Sequence, residues 1–580
     1  MVDKKTASFM RSLCLGEIEE EILVPYPEPT VAEKETLGAI VSTLKSMLTP
    51  REKEFGAWDK AGEMPRAFLD ELKAAGLFGL VIPERHGGLG LGSTAYSRII
   101  QELARYDGSV GVTVGAHSSI GMRGLLLFGT EEQKLRYLPK LVTGEMIAAF
   151  CLTEPSAGSD AAGIKSTAVR DGEDFVLNGE KLWITNGGIA DFFTVFAKTS
   201  QEGRGQITAF IVTRDMKGVT TGPHEDKMGI RASSTTTVSF EDVRVPGANV
   251  LGEVGKGFKV AMKILNAGRT GLGGGCVGGM KRLIELSVHQ ARERVQFGRP
   301  IATFGLIRQK IGQMVVDCYA SESVVNLVAG LGDRGFEDMA IEAAVSKVLA
   351  TEAVNRTADE ALQIAGGSGY MRELPYERAV RDARINRIFE GTNEILRLFI
   401  ALAAVNDVGE ELKGLASSMK GVLDNPVKGF GVLSEYARRR ASLATGLRRP
   451  KGRWTLLVPQ VQQEAAVFEE ATRGLAIATD RLLRKHGKKI IEAQLPTRRL
   501  ADVMIDLFTL GAILARVSTR IEDHGEAGAA MEREILRVFA FQAKRRMDAG
   551  LAGMEENDDD GIEALANHVL EAGRYPWDNL

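Results

Sequence analysis

Between about residues 150 and 250 the chain changes its hydrophobic period, and that change limits the folds open to it. Before it, from Thr30 to about Gly144, apolar residues recur at helical spacing: Phe68, Leu69, Leu72 and Leu77 in one stretch, Tyr96, Ile99, Ile100 and Leu103 in the next. Such spacing puts them on one face of a helix. Inside the segment come short β-type runs, Phe193-Thr194-Val195-Phe196, Ile207 to Val212 and Thr236 to Phe240. Asn178-Gly179, flanked by Asp174–Leu177 and Lys181–Ile184, predicts a two-residue hairpin. From about Gly257 to Val405 the helical spacing returns. A chain of 580 residues is too long for one core. The expected order is an N-terminal arm (1–29), a helical domain (30–149), a β domain (150–255), a helical bundle (256–405) and a further helical region (406–580).

Composition excludes several classes. A net charge of −3 gives no basic field for nucleic acid. Cys14, Cys151, Cys276 and Cys318 lie far apart, and the seven histidines include no HExxH, so neither a disulfide scaffold nor a metal site is expected. No uninterrupted apolar run suits a bilayer span, and the acidic run Glu17–Glu21 comes too soon for a typical presequence. The expectation is a cytoplasmic protein; a removed presequence would make it mitochondrial, in the matrix or on the inner membrane. Residues 426–453 carry eight basic side chains against Glu435, interleaved with Phe430, Tyr436 and Leu443. That pattern suits peripheral contact with an anionic membrane, or a solvated loop.

The stretch from Arg384 to Leu396 holds the candidate catalytic residue. Ile385, Ile388 and Phe389 fall at i, i+3 and i+4. Gly391 then breaks the helix, Thr392 can cap the next, and Ile395, Leu396 and Phe399 resume the apolar pattern. Glu390 is expected at a joint between two buried helices. A carboxylate there has a raised pKa and can act as a base; a solvated helix-end charge is the alternative. Leu152 to Asp160 gathers small and hydroxyl residues, as a polar ligand loop or a plain turn. Trp183 and Thr185 share a face by period two, suiting ring stacking and hydrogen bonding, or a core tryptophan. Gln363 to Tyr370 holds three glycines that allow close approach to a phosphate, or cap a helix. Arg294 and Phe297 suit a pyrophosphate, or a solvated loop.

Two of these stretches, LTEPSAGSDAAG at 152–163 and QIAGGSGYMRELPYERAVRD at 363–382, resemble the acyl-CoA dehydrogenase family of flavoproteins. The likeness covers about residues 30–405. Val24-Pro25-Tyr26-Pro27, Gly115 to Gly121, Ile264 to Arg269 and the C-terminal helical region make the chain similar to the very-long-chain subgroup. The resemblance implies a mostly α fold with an inserted β domain: an N-terminal helical domain, a middle β-barrel, a four-helix bundle and an additional C-terminal helical domain. It implies FAD as cofactor and dehydrogenation of a long-chain acyl-CoA to the trans-2-enoyl-CoA in fatty acid β-oxidation, with electrons passed to electron-transfer flavoprotein. Glu390 becomes the α-proton base, because the family's alternative position falls on Gly268.

The same resemblance assigns Leu152, Thr153, Trp183 and Thr185 to the isoalloxazine ring. Arg294, Phe297, Gln363, Gly366 and Gly367 go to the FAD of a neighbouring subunit, which implies a homodimer. Thr392 and Glu394 go to the adenosine part. Ser159, Asn266 and Arg269 lie along the CoA and thioester end, and Phe389 and Gly391 by the reacting carbons. Gly111 and Gly115 would border the acyl tail, leaving a deeper channel or serving helix packing. An acyl-CoA oxidase using oxygen and a non-catalytic assembly protein are the alternatives.

Overall fold

The computed structural model describes residues 4–5, 7–200, 205–421 and 452–578. Most of the basic segment, residues 426–451, lies outside them. The chain divides into two compact units. One is built from Pro27–Ile395, the other from Ser8–Tyr26 together with Leu396–Leu580.

The segment expected as an arm is not one. Its helix α1 (Phe9–Cys14) is buried, and Phe9 lies 6.1–6.4 Å, ring centroid to ring centroid, from Trp454, Phe468 and Phe508. Phe9, Met10 and Leu13 are fully buried, Phe9 among rings hundreds of residues away, and that burial outweighs the freedom of a tail.

The first unit begins with helices α2 (Val31–Leu48), α3 (Glu52–Ala61), α4 (Arg66–Ala74), α5 (Ser93–Tyr106), α6 (Gly108–Gly115), α7 (Arg123–Phe128) and α8 (Glu131–Thr143). Capping boxes start two of them, Thr30 with Glu33 at α2 and Thr130 with Gln133 at α8. A π-helical turn, Ala116–Gly121, separates α6 from α7. Its His117 is buried; Nδ1 accepts from Ala148 N–H at 3.0 Å, so the ring meets the first strand of the sheet.

The strands are β1 (Ala148–Cys151), β2 (Thr167–Asp171), β3 (Asp174–Thr185), β4 (Phe192–Ser200), β5 (Gln206–Thr213), β6 (Val219–Thr221), β7 (Thr235–Val245) and β8 (Val250–Leu251). They form one sheet in the order β6-β7-β3-β2-β4-β5-β8, with β1 parallel to β4. The hairpin expected at Asn178-Gly179 is displaced. β3 runs straight through that dipeptide, and the turn sits at Gly172-Glu173, where Asp171 pairs with Asp174. Asn178-Gly179 instead marks a register shift against β7, where Asn178 side-chain amide and Asp242 bond each other. Glycine is required there, since a Cβ on Gly179 would stand 2.2 Å from Ser166 Oγ.

Long helices follow: α9 (Gly257–Glu293), α10 (Gly305–Asp333) and α11 (Ala340–Ala365), with the strands β9 (Val295–Gln296) and β10 (Arg299–Pro300) between α9 and α10. Then come α12 (Gly367–Tyr370), α13 (Tyr376–Arg384) and α14 (Asn393–Gly421). By length and composition α10 alone among the described helices could cross a membrane. Of its most apolar window 72% is buried within the protein, as in the core helix of a bundle. Helix α9 spans about 55 Å at 1.5 Å per residue and carries seven glycines from Gly268 to Gly279. Each costs roughly 0.5–1 kcal/mol against alanine in a helix, so packing must require them. A Cβ on Gly278 would lie 1.9 Å from Gln101 O, and one on Gly274 2.7 Å from Ser97 Oγ. These two glycines let α9 approach α5 to near backbone contact.

The second unit adds α15 (Gln462–His486), α16 (Gln494–Gly528), α17 (Ala530–Ala552) and α18 (Asp559–Ala572). Helix α16 buries an almost continuous apolar run from Leu500 to Ile521. Arg499 at its start holds both carboxylate oxygens of Asp559, at 2.6 and 2.5 Å.

Candidate active site

Helix α13 ends in a 3₁₀ turn, Ile385–Arg387, and the chain then leaves helical geometry. Glu390 has φ +59° and Gly391 φ +92°. Thr392 Oγ1 accepts from Ile395 N–H at 3.3 Å and caps α14. The expected break is therefore present but begins one residue earlier, on Glu390 itself. Ile388 is half exposed, so the apolar face expected around it is incomplete. A left-handed backbone on a residue with a Cβ costs about 1–2 kcal/mol, and surrounding groups must hold it. Two cations do so. Arg269 Nε of α9 donates to Glu390 O at 3.3 Å, and Lys347 Nζ of α11 donates to Gly391 O at 2.8 Å.

The carboxylate stands apart from both. Glu390 Oε2 is out of solvent and has no hydrogen-bond partner. Burial pushes its pKa up to about 7, with Arg269 and Lys347 pulling the other way. Burial also brings the Lys347 ammonium down to about 8. Gly268 lies alongside. A Cβ there would stand 3.1 Å from Glu390 Oε2 and 2.8 Å from Ile120 Cγ2, so the helix surface beside the carboxylate is free of side chain.

Glu390 and Phe389 line a cavity of about 1000 Å³. From Gly268 its floor follows α9 through Gly271, Gly275 and Gly279 to Leu283, about 22 Å along the helix axis. Gly271 and Gly275 border the cavity and still lie against α5: a Cβ on Gly271 would stand 3.2 Å from Tyr96 Cε1 and one on Gly275 3.5 Å from Ala104 Cβ. Gly111 and Gly115 of α6 also line the cavity. They answer the question of packing against space differently. A Cβ on Gly111 would touch Ala104 at 3.1 Å, whereas one on Gly115 would meet nothing within 4 Å. The far end is charged, with Glu52, Lys53 and Arg282.

The remaining expected site residues divide into those near this cavity and those away from it. Arg269 Nη1 donates to Asn266 Oδ1 at 2.8 Å. Thr185 lines the cavity. A register shift lies between Lys181 and Ile184, Trp183 has φ +56°, and it is 62% exposed. The alternative of a core tryptophan is therefore excluded. Leu152 is buried, Thr153 half-buried and Ser159 exposed. Their loop is anchored by Glu154, whose Oε1 accepts from Lys181 Nζ at 2.6 Å and Ser166 Oγ at 2.6 Å. Arg294, Phe297, Gln363, Gly366 and Gly367 lie on the surface and do not line the Glu390 cavity. Phe297 is 93% exposed at the tip of the β9–β10 turn. Thr392 and Glu394 flank the bend, Glu394 exposed.

These residues fit a flavin. Trp183 presents an exposed aromatic on a bulge beside Thr185, and a Cβ on Gly366 or Gly367 would enter open space, leaving bare backbone. The sequence reading missed Lys347, the Glu154–Lys181 pair and the cavity-facing glycines of α9. Signals existed for all three: a lysine amid the apolar run Ala343–Ala350, alternation placing Lys181 inward, and the cluster GLGGGCVGG at 271–279.

Comparison with known proteins adds four family matches. The acyl-CoA dehydrogenase N-terminal domain matches residues 34–145, the middle domain 149–243 and the C-terminal domain 255–405. The ACAD9/ACADV C-terminal domain matches 459–575. The very long-chain specific acyl-CoA dehydrogenase, mitochondrial, of Macaca fascicularis is 42% identical over 566 residues, 95% of this chain and 85% of that one. An acyl-CoA dehydrogenase complexed with FAD from Bacillus anthracis superposes with TM-score 0.81 at 33% identity, over 99% of this chain and 97% of that chain. Butyryl-CoA dehydrogenase from Megasphaera elsdenii has TM-score 0.62 and 37% identity, covering 65% of this chain and 99% of its own.

Proposed function

The chain belongs to the acyl-CoA dehydrogenase family, FAD-dependent oxidoreductases of fatty acid oxidation, and on that premise we propose that Glu390 removes the α-proton of a long-chain acyl-CoA. The observation that carries the reading is the Glu390 carboxylate: buried, unpartnered at Oε2, poised near neutrality and facing the cavity. A thioester α-proton is far too weakly acidic for a carboxylate in water. A dry site strengthens the base, and hydrogen bonds to the thioester oxygen stabilise the developing enolate. The Glu390 N–H, carried by the same bend, serves as one such donor. FAD, when bound, would supply the hydride acceptor for the β-hydrogen, so that loss of the α-proton and of the hydride would leave the trans-2-enoyl-CoA. Thr185, Trp183, Leu152 and Thr153 orient the ring, Thr392 and Glu394 meet the adenosine part, and Ser159, Asn266 and Arg269 meet the CoA and thioester end. Gly111 and Gly115 border the acyl tail, while Phe389 and Gly391 wall the reacting carbons.

The glycine floor of α9 supports a long acyl chain, as does the name of the Macaca relative. Electron-transfer flavoprotein is the proposed acceptor. Arg294, Phe297, Gln363, Gly366 and Gly367, exposed on this chain, would meet the FAD of a second copy in a homodimer. Peripheral membrane contact through 426–453 rests on sequence alone; changing Arg438, Arg439 and Arg440 to Glu should abolish sedimentation with anionic vesicles, and unchanged binding would sink that idea.

Anaerobic titration of the purified yellow protein tests the reaction. Palmitoyl-CoA should bleach the flavin band, and butyryl-CoA should do so poorly. Changing Gly275 to Leu should cut kcat/KM for palmitoyl-CoA about tenfold while sparing octanoyl-CoA, since the added side chain obstructs the channel rather than the base. A flavin unbleached by any acyl-CoA would overturn the reading.

A further inference from the structure

We propose that Lys347 is a positioning residue for the base: its ammonium, held inside the helical bundle, fixes the Gly391 carbonyl and thereby where the Glu390 carboxylate points. The inference rests on Glu390 acting as the base.

Lys347 is fully buried in the middle of α11. Enclosing a lysine there is costly unless its ammonium is solvated by fixed polar groups. Two such acceptors lie just past Glu390, Gly391 O in the bend and Asn393 Oδ1 after it, each at 2.8 Å. Asn393 is itself fixed. It is buried, its Nδ2 donates to Thr351 Oγ1 at 3.1 Å and Glu352 Oε1 at 3.3 Å, and it is the first residue of α14. The ammonium therefore ties the peptide after the base to the start of the next helix. Arg269 ties the peptide of the base itself to α9. With Glu390 and Gly391 both at positive φ, the bend would relax if either tie were lost, and a carboxylate moved by about 1 Å loses its alignment with the α-carbon.

Charge adds a second effect. The titratable or charged groups facing this pair are Arg269 and Cys276 from α9, Glu352 on α11 beside Lys347, and Glu394 from α14. Arg269 and Lys347 itself favour the ionised form of Glu390. Removing the lysine charge must therefore make the base harder to ionise and move its titration upward.

The test is Lys347→Gln, assayed as flavin-loaded enzyme with palmitoyl-CoA across pH. Glutamine keeps an N–H donor but is shorter and uncharged. The expected result is kcat per bound flavin lowered about ten- to hundredfold, KM within twofold, and the acid limb of the kcat profile shifted to higher pH. Asn393→Ala keeps the charge and loosens its anchor, so kcat should fall while the limb stays in place. Lys347→Gln with parental kcat and limb would overturn the proposal. So would a variant whose melting temperature falls while kcat per flavin is unchanged, because the lysine would then only support the fold. If Lys347→Gln does not fold, Asn393→Ala alone decides: unchanged kcat overturns the proposal and a fall supports it. A parental enzyme without an acid limb would instead refute Glu390 as the base.

Discussion

Two buried lysines face two glutamates in this molecule, with opposite results. In the β domain Lys181 touches Glu154 at 2.6 Å, and that carboxylate also accepts from Ser166. In the bundle Lys347 ignores the carboxylate of Glu390, spends its hydrogen bonds on Gly391 O and Asn393, and leaves Glu390 Oε2 without a partner. Burial acts on both carboxyls. For Glu154 the lysine and the hydrogen bonds overcome it and hold the acid below its ordinary value, whereas for Glu390 burial prevails. A paired carboxylate is a strut. An unpaired one beside, but not bonded to, a cation keeps its affinity for a proton and can take one from a substrate.

The comparison is most sharply broken at the glutamate of the bend. Glu390→Gln should lower palmitoyl-CoA turnover at least about a thousandfold while flavin content and melting temperature stay near the parent. Steady-state assays beside a thermal melt measure both, and retention of full turnover would make Glu390 a strut like Glu154. Next in size is the reverse experiment. Lys181→Met strands the Glu154 carboxylate and should cost about 3–5 kcal/mol of stability, read by urea denaturation. With the loop anchor lost, flavin retention should weaken as well. A variant as stable as the parent would show that Lys181 and Glu154 are no more essential to the fold than surface charges.

The smallest effect is the most discriminating. Because the folded Glu390 carboxyl is raised to about 7, the free enzyme's kcat/KM should fall as pH drops through neutrality, where Glu390 takes up its proton. The sign for stability is opposite to that for activity. A carboxyl raised on folding contributes most to stability when protonated, below its unfolded value of 4.5, and loses that contribution as pH rises through about 7. Glu154, lowered on folding, contributes stability above the unfolded value of 4.5 and loses it as pH falls through its lower folded pKa. Glu390→Gln should therefore remove the acid limb of any residual activity, and a limb that persists would assign it to another group.

The division of labour between sequence and tertiary structure follows from the range of the forces involved. Chain order alone determined the α–β–α succession, the break at Gly391, the Thr392 cap and the candidacy of Glu390, because periodicity, glycine and capping act within a few residues of one another. It misplaced the β2–β3 turn, since Asn178-Gly179 satisfies a hairpin and a strand irregularity equally well, and β7 chose between them. It read residues 1–29 as an arm, because the partners of Phe9 begin with Trp454. Only the folded molecule could separate the α9 glycines in near backbone contact with α5 from those that also border the cavity, as that depends on how closely other elements approach each one. The same holds for the two lysines. Nothing local distinguishes Lys181 from Lys347; their roles were decided by which oxygen the fold placed within 3 Å of each ammonium.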